Sequence, residues 1–147
     1  MKRIYSGQSL IETVVAVAIV TLIVTGLVAA TTSTLRFSQM SKTRTQALQY
    51  AKEGLEIVRI IRDTGWASIP QTDQSYCLSK GQQELGTSTS DACPMDIDNM
   101  YSRTLSFSHD ATCVTPACSK VTVTVSWIEQ DTKSVSLSSY ITNWRIQ

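Results

Sequence analysis

The chain has 147 residues, 13 of them basic and 12 acidic, for a formal charge of +1 at neutral pH. So even a balance builds no long-range field, and no dense Lys/Arg cluster is present, so no nucleic-acid-binding surface is evident. With 42% hydrophobic residues and a membrane-length apolar run at one end, there is room for one small globular core.

Lys2 and Arg3 open the chain, Gly7-Gln8-Ser9-Leu10-Ile11-Glu12 follows, and an apolar stretch then continues to Ala30. A bilayer span takes about 20 residues, and Leu10 to Ala30 meets that length with Glu12 as its only charge. A carboxylate in hydrocarbon costs about 2.5–3.5 kcal/mol even on mild insertion scales, so it is normally kept where a partner neutralises it. An ordinary secretory signal, cleaved after Val28-Ala29-Ala30, explains the basic start and the apolar core but not an acid so early in it. A plain single-pass anchor explains the length, but neither Gly7 nor Glu12.

The order basic pair, Gly7, Leu10-Ile11, Glu12, apolar helix resembles the class III signal of type IV pilins and pseudopilins. The resemblance implies a leader, residues 1–7, cut by a prepilin peptidase between Gly7 and Gln8, with Glu12 the fifth residue after the cut. It also implies N-methylation of the new amine on Gln8, although Gln8 stands where the family usually has Phe. Many members carry a Pro late in the apolar helix, where this chain has Ala29; Gly26 is the only helix-weakening residue nearby, so any bend or melting would centre there.

Helical spacing continues past the apolar run. Leu35, Met40, Ala47, Leu48, Ala51, Leu55, Val58 and Ile61 recur at mostly three- or four-residue steps or their sums, with Lys42, Arg44, Lys52, Glu56 and Arg59 between them. A helix from near Ser9 to about Arg62 is predicted, about 80 Å long at 1.5 Å per residue. Residues 8–30 form its membrane and polymerisation part and 31–63 an amphipathic continuation. Gly54 is a weak point within it, and Gly65 supplies the terminating turn.

From Trp66 to Met100 the sequence turns polar and loop-like, with Gly81 to Ser90 the expected exposed tip. All four cysteines, Cys77, Cys93, Cys113 and Cys118, follow the apolar run, as expected of an exported, disulfide-bonded region. Three connectivities are open; sequential pairing, Cys77–Cys93 and Cys113–Cys118, is favoured because it closes short loops. Zinc is the rival, but only Cys113 and Cys118 are spaced as close ligands, with His109 nearby.

The last third alternates. Tyr101, Arg103, Leu105 and Phe107 fall on one side of one run and Val121, Val123, Val125 and Trp127 on one side of the next. Val135, Leu137 and Ile141 line a third run, after a turn expected over Glu129 to Lys133. Period two with one polar face predicts an antiparallel sheet covered on one side, by the helix through Leu48, Leu55, Val58 and Ile61. The fold class is therefore α+β: a long N-terminal helical spine with a C-terminal antiparallel sheet packed on its second half, residues 64–147 being the globular β-domain.

No catalytic set, phosphate loop or cofactor site stands out, and no enzyme activity is expected. Asp96, Asp98 and Asn99 offer oxygens for Ca²⁺ but lack the Gly and distal Glu of an EF-hand loop, so a turn role is expected. The expected function, resting on the resemblance, is that of a structural subunit of a type IV pilus-like filament, as major pilin, minor pilin or pseudopilin. Its partners are then other pilin subunits, the prepilin peptidase, an inner-membrane assembly platform and, before assembly, the membrane. Lys2 and Arg3 place the N-terminus in the cytoplasm. The alternative is a secreted or membrane-anchored monomeric binding module.

Overall fold

A computed structural model describes residues 6–109 and 118–143. The protein is α+β, in the order α1 (Ser6–Thr64), a short 3₁₀ turn (Trp66–Ser68), β1 (Gln74–Cys77), β2 (Tyr101–Ser108), β3 (Cys118–Glu129) and β4 (Asp131–Thr142). It divides into two compact units, Met1–Lys42 and Thr43–Gln147.

Among its described residues, the first unit is helix alone. α1 is unbroken through Gly26, the position where any bend would centre, and a Cβ there would meet nothing within 4 Å. Without Pro, and with Leu and Ala among its residues, the segment has nothing that forces a kink.

In the second unit, the helix covers one face of a sheet with strand order β1-β2-β3-β4, every neighbouring pair antiparallel. Ala47, Ala51, Gly54, Val58 and Ile61 form a buried helix stripe, with Ile57 buried beside it, and their spacing of four, three, four and three puts all five on one side. The expected contacts Leu48 and Leu55 are only half-buried. Small residues at the line of closest approach bring the helix down onto β3, which displaces the longer leucines to the flanks. Gly54 marks the tightest point: a Cβ there would stand 2.8 Å from Val123 Cγ1. Its absence of a side chain is what the packing requires, rather than a defect in the helix.

Opposite the helix, Tyr101, Leu105, Phe107, Val121, Val123, Val125 and Trp127 are buried, as their alternation predicts. The other face carries hydroxyls that pair across strands: Ser75 with Ser106 at 2.9 Å, Ser102 with Ser126 at 2.8 Å, and Thr122 with Ser138 and Thr124 with Ser136 at 2.9 Å. Cross-strand pairs of this kind fix register as well as adding stability.

Two turns differ from expectation. Gly65 has φ 171°, an extended conformation open to any residue, and its N–H still donates to Ile61 O at 3.3 Å. The Thr64 hydroxyl bonds the same carbonyl at 2.7 Å, so the helix ends without a left-handed glycine. The β3–β4 turn is shorter than Glu129 to Lys133. Gln130 alone, at φ 63°, separates the strands, and Lys133 is already paired with Trp127.

Candidate functional site

Gly7 and Gln8 lie in the first turns of α1, and residues 1–5 of the expected leader fall outside the described residues. From Leu10 to Lys42 the helix is exposed, with Leu10 at 68%, Ile11 at 67% and Leu22 at 73%. Its most apolar 18-residue window has a mean hydropathy of 2.6 and buries nothing within the chain. This apolar helix is long enough to cross a membrane. Glu12 is exposed in its second turn, and no cation among the described residues pairs with it.

The threonine hydroxyls of this segment are satisfied internally. Thr13 donates to Leu10 O and Thr21 to Ala18 O, both at 2.8 Å; Thr31, Thr32 and Thr34 donate to Val28, Ala29 and Ala30 carbonyls at 2.9 Å. Thr25 reaches Thr21 O at 2.9 Å. A threonine whose hydroxyl folds back onto its own helix presents mainly its methyl group outward, so these residues cost little in an apolar environment. Glu12 has no such internal remedy. The segment thus offers an apolar cylinder carrying one unanswered charge.

In the second unit, Cys77 and Cys93 form a disulfide with Cα atoms 5.3 Å apart. Thr104, opposite Cys77 on β2, donates to Cys93 Sγ at 3.3 Å. These two cysteines are thereby removed from any zinc set. Cys118 is also disulfide-bonded, and its expected partner Cys113 lies outside the described residues.

Beside this bridge sits a residue whose role the sequence did not reveal. Arg103 occupies an inward position of β2 and its side chain has no exposed surface. Its guanidinium donates from Nε to Leu78 O at 3.1 Å, from Nη2 to Ser79 O at 2.9 Å, and from Nη1 to the helical carbonyl of Tyr50 at 3.0 Å. Glu53 Oε1 stands 3.5 Å from Nη1. Burial pulls this guanidinium down from its usual pKa, against the opposing pull of Glu53. Arg103 therefore ties the segment that follows Cys77 to the helix. The available signal was an arginine in an alternating position between Tyr101 and Leu105.

A second tie lies at the surface. Asp98 and Asn99, at φ 52° and 53°, make the two left-handed positions of a tight turn closed by Met100 N–H donating to Ile97 O at 3.1 Å, a geometry that Asp and Asn tolerate well. The Asp98 carboxylate accepts from the Tyr50 hydroxyl and from Lys80. Lys80 first, then Tyr50, hold this carboxyl below its ordinary pKa. The bond to Asp98, and then burial, raise the Tyr50 hydroxyl. Asp98 thus serves the turn and the helix together.

His109 is exposed, with its backbone N–H on Asp73 Oδ1 at 2.9 Å and its Nδ1 3.2 Å from the same oxygen. Among the described residues, no group of three or more His, Cys, Asp or Glu side chains gathers to hold a metal. Comparison with family models, with curated proteins and with solved structures found no match.

Proposed function

We propose that this chain is a structural subunit of a type IV pilus-like filament. It is made as an inner-membrane precursor, cut after Gly7 by a prepilin peptidase and assembled through its N-terminal helix. The observation that carries this reading is the pairing of a wholly exposed apolar helix, bearing Glu12 near its start, with a disulfide-bonded sheet domain in the same chain. Lipid covers such a helix before assembly, and the same helices of neighbouring subunits cover it afterwards. Disulfides form in oxidising compartments, so the Cys77–Cys93 bridge favours an exported C-terminal domain and a cytoplasmic N-terminus.

Glu12 supplies the register. Cleavage after Gly7 leaves a positive amine on Gln8, one helical turn before Glu12. In a staggered stack the Glu12 carboxylate of one subunit meets the amine of its neighbour within the apolar core. An ion left unpaired there bears a desolvation penalty of several kcal/mol, so only the correct stagger is stable.

The test is the mass of the N-terminal peptide of the native protein. A start at Gln8 supports the proposal, with any methylation or cyclisation visible in the same spectrum. A start at Thr31 identifies a secreted module, and an intact Met1 a plain anchor. Gly7→Leu should retain the leader, because the peptidase accommodates a residue without a side chain; normal maturation of that variant contradicts the class III assignment.

A further inference from the structure

We propose that the outer edge of β4, along Ser134 to Ser139, pairs with the same edge of a second copy of this chain. The sheet has two edges, and the chain treats them differently. At the β1 edge, Tyr76 bridges to Ser88 and Thr89 N–H donates to Ser75 O at 2.8 Å, so the chain covers that edge with its own backbone. At the β4 edge, among the described residues, no strand lies beside Ser134 to Ser139.

Exposed strand edges template further pairing, and proteins normally blunt them with Pro, bulges, inward charges or short length. β4 has 12 residues, no Pro or Gly, an unbroken register with β3, and charges only at Asp131 and Lys133. Ser134, Ser136, Ser138 and Ser139 carry nothing bulky or charged that would keep a strand away. Backbone N–H and C=O groups at such an edge recognise one kind of occupant, an extended strand.

The side chains say which strand fits. Facing residues of an antiparallel pair share a face of the sheet. Self-pairing centred on Ser136 sets Val135 against Leu137 on the helix side and Ser134 against Ser138 on the hydroxyl side. Val135 and Leu137 are only half-covered in the single chain, and this arrangement covers them. Lys133 meets Ser139, and no like charges face one another. The contact is self-complementary, as a two-fold interface requires. Because the axis stands normal to the sheet, it reverses the helix packed on it. The pairing therefore joins copies whose packed helices run in opposite directions. It goes beyond the filament reading and does not depend on it.

The test uses the full-length chain in detergent micelles, measured by sedimentation equilibrium over a range of protein concentrations. Wild type should dimerise. Ser136→Lys and Ser136→Glu, each placing like charges opposite one another, should weaken the dimer by about tenfold or more, and an equal mixture of the two should restore association. Ser136 is exposed, so the fold should survive, which an intact Cys77–Cys93 bridge and unchanged circular dichroism will verify. As a milder variant, Ser136→Cys should crosslink copies through residue 136 on oxidation. A wild type monomeric throughout, an undiminished Ser136→Lys dimer, a mixture that fails to associate, or a Ser136→Cys chain that does not crosslink overturns the proposal.

Discussion

Arg103 passes over Gly54 so closely that a Cβ on Gly54 would stand 3.3 Å from Arg103 Cδ. The same Cβ would stand 2.8 Å from Val123 Cγ1. Helix, buried arginine and central strand thus meet at one glycine. Two effects oppose each other in Gly54→Ala: better helix propensity, about 1 kcal/mol, and overpacking, about 1–3 kcal/mol. Val123 and Arg103 are both buried, with little room to yield, so overpacking should win. Thermal unfolding should show a lower Tm; a higher one would mean that β3 shifts freely.

Arg103→Met keeps much of the apolar stem and removes the guanidinium. The Leu78 carbonyl then loses the donor that Arg103 supplies, Ser79 O keeps only the Gln82 N–H, and Tyr50 O keeps only its helical donor. Hydrogen bonds to charged groups contribute about 1.5–3 kcal/mol each, though not additively, so a loss of roughly 3 kcal/mol is expected in urea unfolding. Arg103→Lys should recover only part of it, since a single ammonium cannot reproduce the fork. A loss below about 1 kcal/mol would show that water replaces the guanidinium.

Asp98 gives a pH dependence with a definite sign. Lys80 and Tyr50 lower its folded pKa from the ordinary 3.8. Its contribution is therefore present above that unfolded value and is lost as pH falls through the folded one, where the native carboxylate at last takes up its proton. Asp98→Asn should remove this part of the acid destabilisation, seen as a shallower fall of Tm with pH below about 4. An unchanged acid limb would show that the Lys80 and Tyr50 contacts carry no net energy.

The Cys77–Cys93 bridge spans a sequence separation of 16, and a loop of this size is worth about 3 kcal/mol on the chain-entropy account. The double variant Cys77→Ser/Cys93→Ser should lose about that much stability by urea unfolding while keeping a sheet anchored by Arg103. In the native protein, alkylation without reduction should label neither cysteine; labelling at both would remove the bridge from the account.

Much of the fold was legible because burial here follows simple periods. Val121, Val123, Val125 and Trp127 alternate in the sequence and all point inward. The helical stripe was harder to read: hydrophobicity pointed to Leu48 and Leu55, while geometry selected Ala47, Ala51 and Gly54, because close approach rewards small volume. Gly65 marks the end of the helix as its position suggested, but in an extended conformation that does not need glycine. Arg103 and Asp98 each reach Tyr50 across sequence separations of 53 and 48 residues, which no local pattern encodes. Glu12 differs from all of these, since a charge within an apolar run is conspicuous in the sequence itself.

The central claim is that Glu12 sets the stagger of assembled subunits, and Glu12→Val tests it most directly. The measurement is the yield of surface filaments relative to total mature subunit in cells making either form. The account predicts that Glu12→Val is inserted and cleaved as well as wild type, yet enters filaments poorly, with Glu12→Asp intermediate. Undiminished filament yield from Glu12→Val would contradict it.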